Sequence, residues 1–266
     1  MVKQTPVIGI MRSVRKRHPL RGALLRLAGY IISLLAILAG WQLLSIIVHS
    51  PALPAPIDSI QMLIRHAPQI VPHLGTSLYR VVVSMALGTI AAVPLGLAIG
   101  RSPRLDTMFA PFLYILYPIP KIVLLPVLLV LLGLADAPKI VLITITIFFQ
   151  VLVTVRDSAK AVPDASILSV RSLGASRWQV YRHVVVPACM PELFTALRIS
   201  SGTAVAILFF AEAIAGSTGL GYFIMDSWGM IAYSRMFAGI IAMALMGVLL
   251  YEAIDAIERH VTRWRA

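Results

Sequence analysis

The sequence predicts an all-α membrane protein with about six transmembrane helices. Three observations lead there. Of 266 residues, 59% are hydrophobic and 13% charged, with a mean hydropathy of +0.89. A soluble domain carries about 25% charge, so this chain has too little polar surface to cover a globule in water. Long apolar stretches with few or no charges recur along it, and its 23 Lys and Arg residues gather in alternate connecting segments.

The chain opens on a basic tail, residues 1–23, carrying Lys3, Arg12, Arg15, Lys16, Arg17 and Arg21. Residues 27–48 then run without a charge, long enough to span. They are too long for a signal-peptide core of roughly 7–15 residues, and "SPALPAP" is a poor cleavage site, so an uncleaved first span is predicted, with an external segment reaching residue 70. The second span is 81–100, where Gly96 and Gly100 stand at the spacing that lets helices approach closely. Residues 107–135 form the third. Lys121 separates its apolar halves and Pro118, Pro120 and Pro126 break it, so one kinked helix is expected. The fourth is 140–155: its "LITITIFF" alternates like a strand, but a lone strand cannot satisfy its backbone in lipid. The fifth is 192–215, opened by Pro191. The sixth is 236–251, with a basic C-terminus at 259–266.

Six spans from a cytoplasmic start put both termini inside. Eighteen of the 23 cations then fall inside: the tail with Arg26, Arg101, Arg104, the 156–191 loop, Arg198 and the C-terminal arginines. Arg65, Arg80, Lys121, Lys139 and Arg235 fall outside or within spans. This distribution accounts for the net charge of +12 without nucleic acid, since cationic inner loops orient the chain and meet anionic lipids. The single Cys189 excludes an intrachain disulfide and a multi-cysteine metal site.

The 156–191 loop is polar and basic. "PDASILSVRSL" reads as a short helix ending before Gly174, a position suited to positive φ. Ser176 and Gln179 have capping-box spacing, and a second helix carries Trp178, Tyr181 and Val185 on one stripe until Pro187. Such a loop can rest on headgroups or dock a cytoplasmic protein. A DNA-reading helix needs freedom to enter a groove, and this one is tethered at both ends.

"LGASRWQVYRHVVVPACMPELFTALR" resembles the EAA loop of permease subunits in binding-protein-dependent ABC importers, with Gly174, Val184, Val186 and Pro187 in register. The E-A-A positions are Leu168, Ser169 and Val170, so the name-giving residues are absent. "YPIPKIVLLPVLLVLLGLADAPKI", "AEAIAGSTGLGYFIM" and "LPAPIDSI" resemble the nitrate/sulfonate/taurine branch, and the resemblance covers about residues 50–258. It implies a type I ABC importer permease fold, with a transmembrane domain at 71–258 working as a homodimer in the bacterial inner membrane. It also implies two ATPase chains, which bind ATP and Mg, a periplasmic or surface solute-binding protein, and a small anionic solute. No cofactor falls to this chain. Leu168, Arg171, Gly174, Ala175, Ser176, Arg177 and Pro187 would couple to the ATPase.

No G-x-x-x-x-G-K-[ST] phosphate loop and no H-E-x-x-H occur. His183 and Cys189 stand about 240° apart on a helix and do not face each other. The histidines are read as loop or interface residues. Lys121 and Glu212 lie deepest in apolar sequence, where a charge lines water or pairs. Lys121 is a pathway candidate for an anion, or snorkels outward; Glu212, near the outer end of its span, suits an interface or gate. Gln150 is a further pathway candidate, with interhelical hydrogen bonding as its default. "GSTGLGYFIMDSWGMIAYS" (216–234) is either an external loop held by Trp228 and Tyr233, or a re-entrant gate using Gly219, Gly221 and Tyr222. The rival function is an ion-coupled carrier or channel that uses Lys121 and Glu212 without an ATPase.

Overall fold

The computed structural model describes residues 19–263. The tail cations Lys3, Arg12, Arg15, Lys16 and Arg17, and Arg265 at the other end, lie outside the described residues. The chain divides into one unit up to Pro56 and another from Ile57 onward.

The first unit holds α1 (Pro19–Val48), of which Ala28–Val48 is apolar enough to span. His49, with φ +47°, ends the helix in the left-handed region. The chain then folds back along α1, where Trp41 Nε1 donates to Pro54 O (3.1 Å) and Ser45 Oγ to Leu53 O (2.9 Å).

The second unit is built on α3 (Ala67–Arg101) and α6 (Asp136–Ala161), a parallel pair with the largest helix–helix interface among the described residues. Gly88, Ala92, Gly96 and Gly100 recur every fourth residue along α3. A Cβ on Gly88 would meet Thr144 O at 3.0 Å, one on Gly96 would meet Leu152 O at 3.0 Å, and one on Gly100 would collide with the Arg156 carbonyl. The expected close approach at Gly96 and Gly100 is present, and it extends two turns further. Around this pair stand the short α2 (Pro56–Arg65), α4 (Pro103–Leu116), α5 (Leu125–Leu132), α7 (Asp164–Arg171), α8 (Arg177–Val180), α9 (Val186–Ala215), α10 (Leu220–Gly229) and α11 (Tyr233–Val261). Among the described residues, five helices are long and apolar enough to cross a membrane, and six spans result if the bent pair α4 and α5 counts as one.

Four expectations need correction. The third span is not one kinked helix: α4 and the Lys121–Leu132 segment meet at 79°. Pro118 and Pro120 remove two amide donors, and Pro120 is itself extended (φ −65°, ψ +109°), so the chain turns rather than bends. The fifth helix does not begin at Pro191, nor does the loop helix end at Pro187. Helix runs from Arg177 to Ala215 through a wide π turn at Tyr181–Val185, which makes room for the Pro187 ring one turn later. The stripe of Trp178, Tyr181 and Val185 divides between surface and core, with Trp178 72% exposed and Val185 buried. Residues 216–234 are not an external loop, because α10 packs on α9 and α11 with Leu220, Gly221, Phe223, Ile224 and Ser227 buried. The helices α3 and α6 also exceed their charge-free windows, because Arg80, Lys139 and Arg156, which close those windows, are satisfied within the chain.

Candidate functional site

At one end of the second unit, α7 and α8 form a projecting turn. Pro163 starts α7, and Gly174 reverses the chain at φ +83° with its N–H on Arg171 O (2.9 Å). No atom lies within 4 Å of a Cβ built on Gly174, so backbone conformation alone calls for glycine there. Ser176 and Gln179 form the predicted capping box: Ser176 N–H donates to Gln179 Oε1 (2.8 Å) and Gln179 N–H to Ser176 Oγ (3.3 Å). Ile167, Val180 and Val185 anchor the turn inward, and Ala175 packs beside them. Leu168, Leu173 (86% exposed) and Trp178 form an apolar outer surface, flanked by exposed Arg171 and Arg177. Pro187 is half-buried beyond the π turn.

Lys121 sits at the break between α4 and α5. Its Nζ donates to Leu116 O (2.6 Å) and Tyr117 O (2.7 Å), capping the carbonyl end of α4 with a positive charge. It also lies 4.9 Å from the centre of the Phe149 ring on α6. An ammonium has three donors, so one is left over. Lys121 and Gln150 line one cavity of about 360 Å³ with Thr146, Phe149 and Thr203. Gln150 Nε2 reaches only to Thr203 Oγ1 at 3.5 Å, and its buried Oε1 has no partner. The two sequence candidates thus meet in a single polar-rimmed hollow with unused hydrogen-bonding capacity.

Glu212 is elsewhere. None of its partners lines that cavity, and its side chain is fully buried. Arg80 Nη1 donates to its Oε1 at 2.6 Å, Ser77 Oγ lies 2.9 Å from both oxygens, and Gly221 N–H donates to Oε2 at 2.9 Å. Burial of a carboxylate inside apolar helices demands this pairing, and the first turn of α10 adds its partial positive charge. Arg80 continues the network through Nε and Nη2 to Asp136 Oδ1 (2.8 and 2.5 Å), and through Nη1 to Thr218 O (3.0 Å). His73 Nδ1 accepts from Gly219 N–H (3.0 Å), while its ring packs on Tyr222 and Phe223. Nearby, Lys139 Nζ donates to Leu134 O and Ala135 O, both at 3.0 Å, fixing the turn before α6. The gate candidates Gly219 and Gly221 therefore lie against Glu212, Tyr222 packs on His73 beside them, and α3, α6, α9 and α10 are joined at one point.

Arg80, Ser77 and Asp136 were missed in the sequence. Arg80 reads there as the charge that ends a span. The available signal was the absence of any other charge between 66 and 100, which lets one helix run through Arg80 if an acid meets it. The opposite end of the unit is tied differently. Arg101 pairs with Asp164 (2.9 Å), Lys160 with Asp106 (2.7 Å) and Arg198 with Asp255 (3.0 Å), while Arg156 also holds Asp106 and Arg198 holds Glu258. These pairs join α3 to α7, α6 to α4 and α9 to α11.

Residues 84–263 match the family described as binding-protein-dependent transport system inner membrane component. The chain is 33% identical to the taurine transport system permease protein TauC of Escherichia coli (strain K12), over 72% of this chain and 70% of that protein. It is 30% identical to the putative aliphatic sulfonates transport permease protein SsuC of Bacillus subtilis (strain 168), over 86% and 84%. Its fold resembles a chain of the MetNI methionine ABC transporter in an inward-facing conformation, with a TM-score of 0.61 and 24% identity over 74% of this chain and 98% of that one.

Proposed function

Because the chain belongs to the binding-protein-dependent transport system inner membrane component family, as an ABC importer permease of the nitrate/sulfonate/taurine type, we propose that it forms the pathway for a small anionic solute and is driven by a separate ATPase. The chain is a multi-pass membrane protein of a transporter family rather than an enzyme. The projecting turn around Gly174 is the observation that carries the coupling reading. Its exposed Leu168, Leu173 and Trp178 form an apolar patch that a partner would cover, and ion pairs at the same end link it to the spans.

In this reading both termini and the turn face the cytoplasm of a bacterial inner membrane, consistent with where the cations gather. A second copy completes the pathway, two ATPase chains bind ATP and Mg below it, and a solute-binding protein delivers solute from above. The Lys121 cavity supplies a cation, an amide and hydroxyls for an oxyanion. Closure of the ATPases would move α7 and α8, and the packed spans would tilt as bodies. The carrier alternative needs Glu212 free for an ion, whereas Arg80, Ser77 and Gly221 already hold it.

Cysteines at Leu168 or Ser172, in a Cys189→Ser background, test this. They should cross-link to the ATPase chain in an active complex. Failure to cross-link, together with free labelling from outside the cell, would overturn both orientation and coupling. Saturable uptake into proteoliposomes without any ATPase would favour the carrier.

A further inference from the structure

We infer that the basic cavity between the α3–α4 turn and the 163–187 turn binds the phosphate headgroup of an anionic phospholipid. The cavity measures about 590 Å³. Arg101, Ser102 and Arg104 line one side, and Arg171, Arg177 and Tyr181 the other. Arg101 is engaged, donating to Asp164 and to the carbonyls of Ala159 (3.3 Å) and Val162 (3.2 Å). Among the described residues, no carboxylate pairs with Arg104, Arg171 or Arg177. The acid nearest in sequence to Arg104 is Asp106, and it is held by Arg156 and Lys160. Three guanidinium groups thus share one hollow without a counter-anion. The first turn of α4 opens on the same hollow and adds its partial positive charge.

The floor indicates what kind of anion fits. Ile167, Val180 and Val185 are all buried and form an apolar base beneath the cationic rim. A solvated basic face has no need of an apolar base. An amphiphile does, with phosphate oxygens on the planar guanidinium forks and its glycerol part over the aliphatic groups. Position agrees. Arg101 ends α3 and Pro103 begins α4, so the cavity stands at the polar ends of two apolar helices, where lipid headgroups would meet it in the proposed arrangement. A lipid held there would bridge the spans to the α7 turn and brace the angle at which that turn projects.

The full chain, purified in neutral detergent, should be titrated with dioctanoyl phosphatidylglycerol, dioctanoyl phosphatidylcholine and inorganic phosphate, followed by native mass spectrometry and thermal unfolding. One phosphatidylglycerol should bind per chain, with phosphatidylcholine and inorganic phosphate at least about tenfold weaker. Arg104→Gln should weaken the phosphatidylglycerol complex about fivefold, and Arg104→Gln with Arg171→Gln about thirtyfold. Arg104→Lys should fall between wild type and Arg104→Gln, and Arg65→Gln, at the end of α2, should change nothing. If the double variant unfolds, the single variants decide. Equal binding of all three probes, or binding unaffected by Arg104→Gln, would overturn the assignment. So would a double variant that keeps its lipid yet no longer captures the ATPase chain, since the cavity would then receive an acidic side chain of that protein.

Discussion

Gly219 lies so close to Glu212 that a Cβ on it would overlap the carboxylate, and its φ is +104°. Both facts follow from one arrangement: the start of α10 is driven onto a buried acid, where Gly221 N–H bonds to Oε2 and Leu220 N–H to Ser77 Oγ (2.8 Å). Gly219→Ala should therefore combine backbone strain with a collision and lower stability by about 2–4 kcal/mol. Gly202→Ala, where a Cβ meets nothing within 4 Å, is the control and should be neutral or slightly stabilising. Thermal unfolding of the two variants in detergent checks this, and equal midpoints would refute it.

The Arg80–Glu212 pair should be costly to break and cheaper to remove. Arg80→Met leaves a buried carboxylate unmatched and should destabilise by about 3–5 kcal/mol. Arg80→Met with Glu212→Met should recover part of that loss, because no lone charge then stays buried; Asp136, with its side chain 47% exposed, can still reach water. A double-mutant cycle on unfolding midpoints measures the coupling. Additive losses would mean that the two groups do not act as a pair.

Lys121→Met should reduce solute uptake by about tenfold or more while membrane level and ATPase capture stay normal. Loss of its bonds to Leu116 O and Tyr117 O should add a modest stability cost of about 1 kcal/mol. Lys121→Arg should restore part of the transport, since it returns the charge with a different shape. Unchanged uptake for Lys121→Met would reduce the residue to a helix cap.

Gly174→Ala should cost about 1 kcal/mol locally, and Gly174→Val more, through positive φ alone. Because this residue sets the angle between α7 and α8, Gly174→Val should abolish transport while leaving insertion intact and allowing ATP hydrolysis by the partner. Paired assays of uptake and hydrolysis in the assembled transporter read this out. Normal uptake by Gly174→Val would detach the turn from coupling.

Local signals in the sequence were faithful. Ser176 with Gln179, Gly174, and the Gly96–Gly100 spacing all act within a turn or two of themselves, and each appears in the structure as its chemistry demands. Long-range pairing was illegible for a physical reason. Arg80 meets Asp136 and Glu212 across 56 and 132 residues, so a window of twenty residues sees only a charge that ends a span. The helix bounds inherit the same error, since α6 runs past Lys139 and Arg156 once both are satisfied. Lys121 and Gln150 were each singled out, but their meeting in one cavity depends on the turn at Pro118–Pro120, whose angle no periodicity records.

The spacing of the Arg80 network in the chain also sets a schedule for its manufacture. α3 emerges from the ribosome with Arg80 unpaired, and a lone cation in an apolar helix is unfavourable in lipid. At about 5–20 residues per second, Asp136 follows 56 residues later, after roughly 3–11 s, and Glu212 follows 132 residues later, after roughly 7–26 s. During the first interval Arg80 has neither of its acids. During the second, one partly hydrated acid shelters it against α6. Only when the end of α9 arrives does the network close, so a nascent chain that stalls before residue 212 presents quality-control proteases with a half-neutralised arginine.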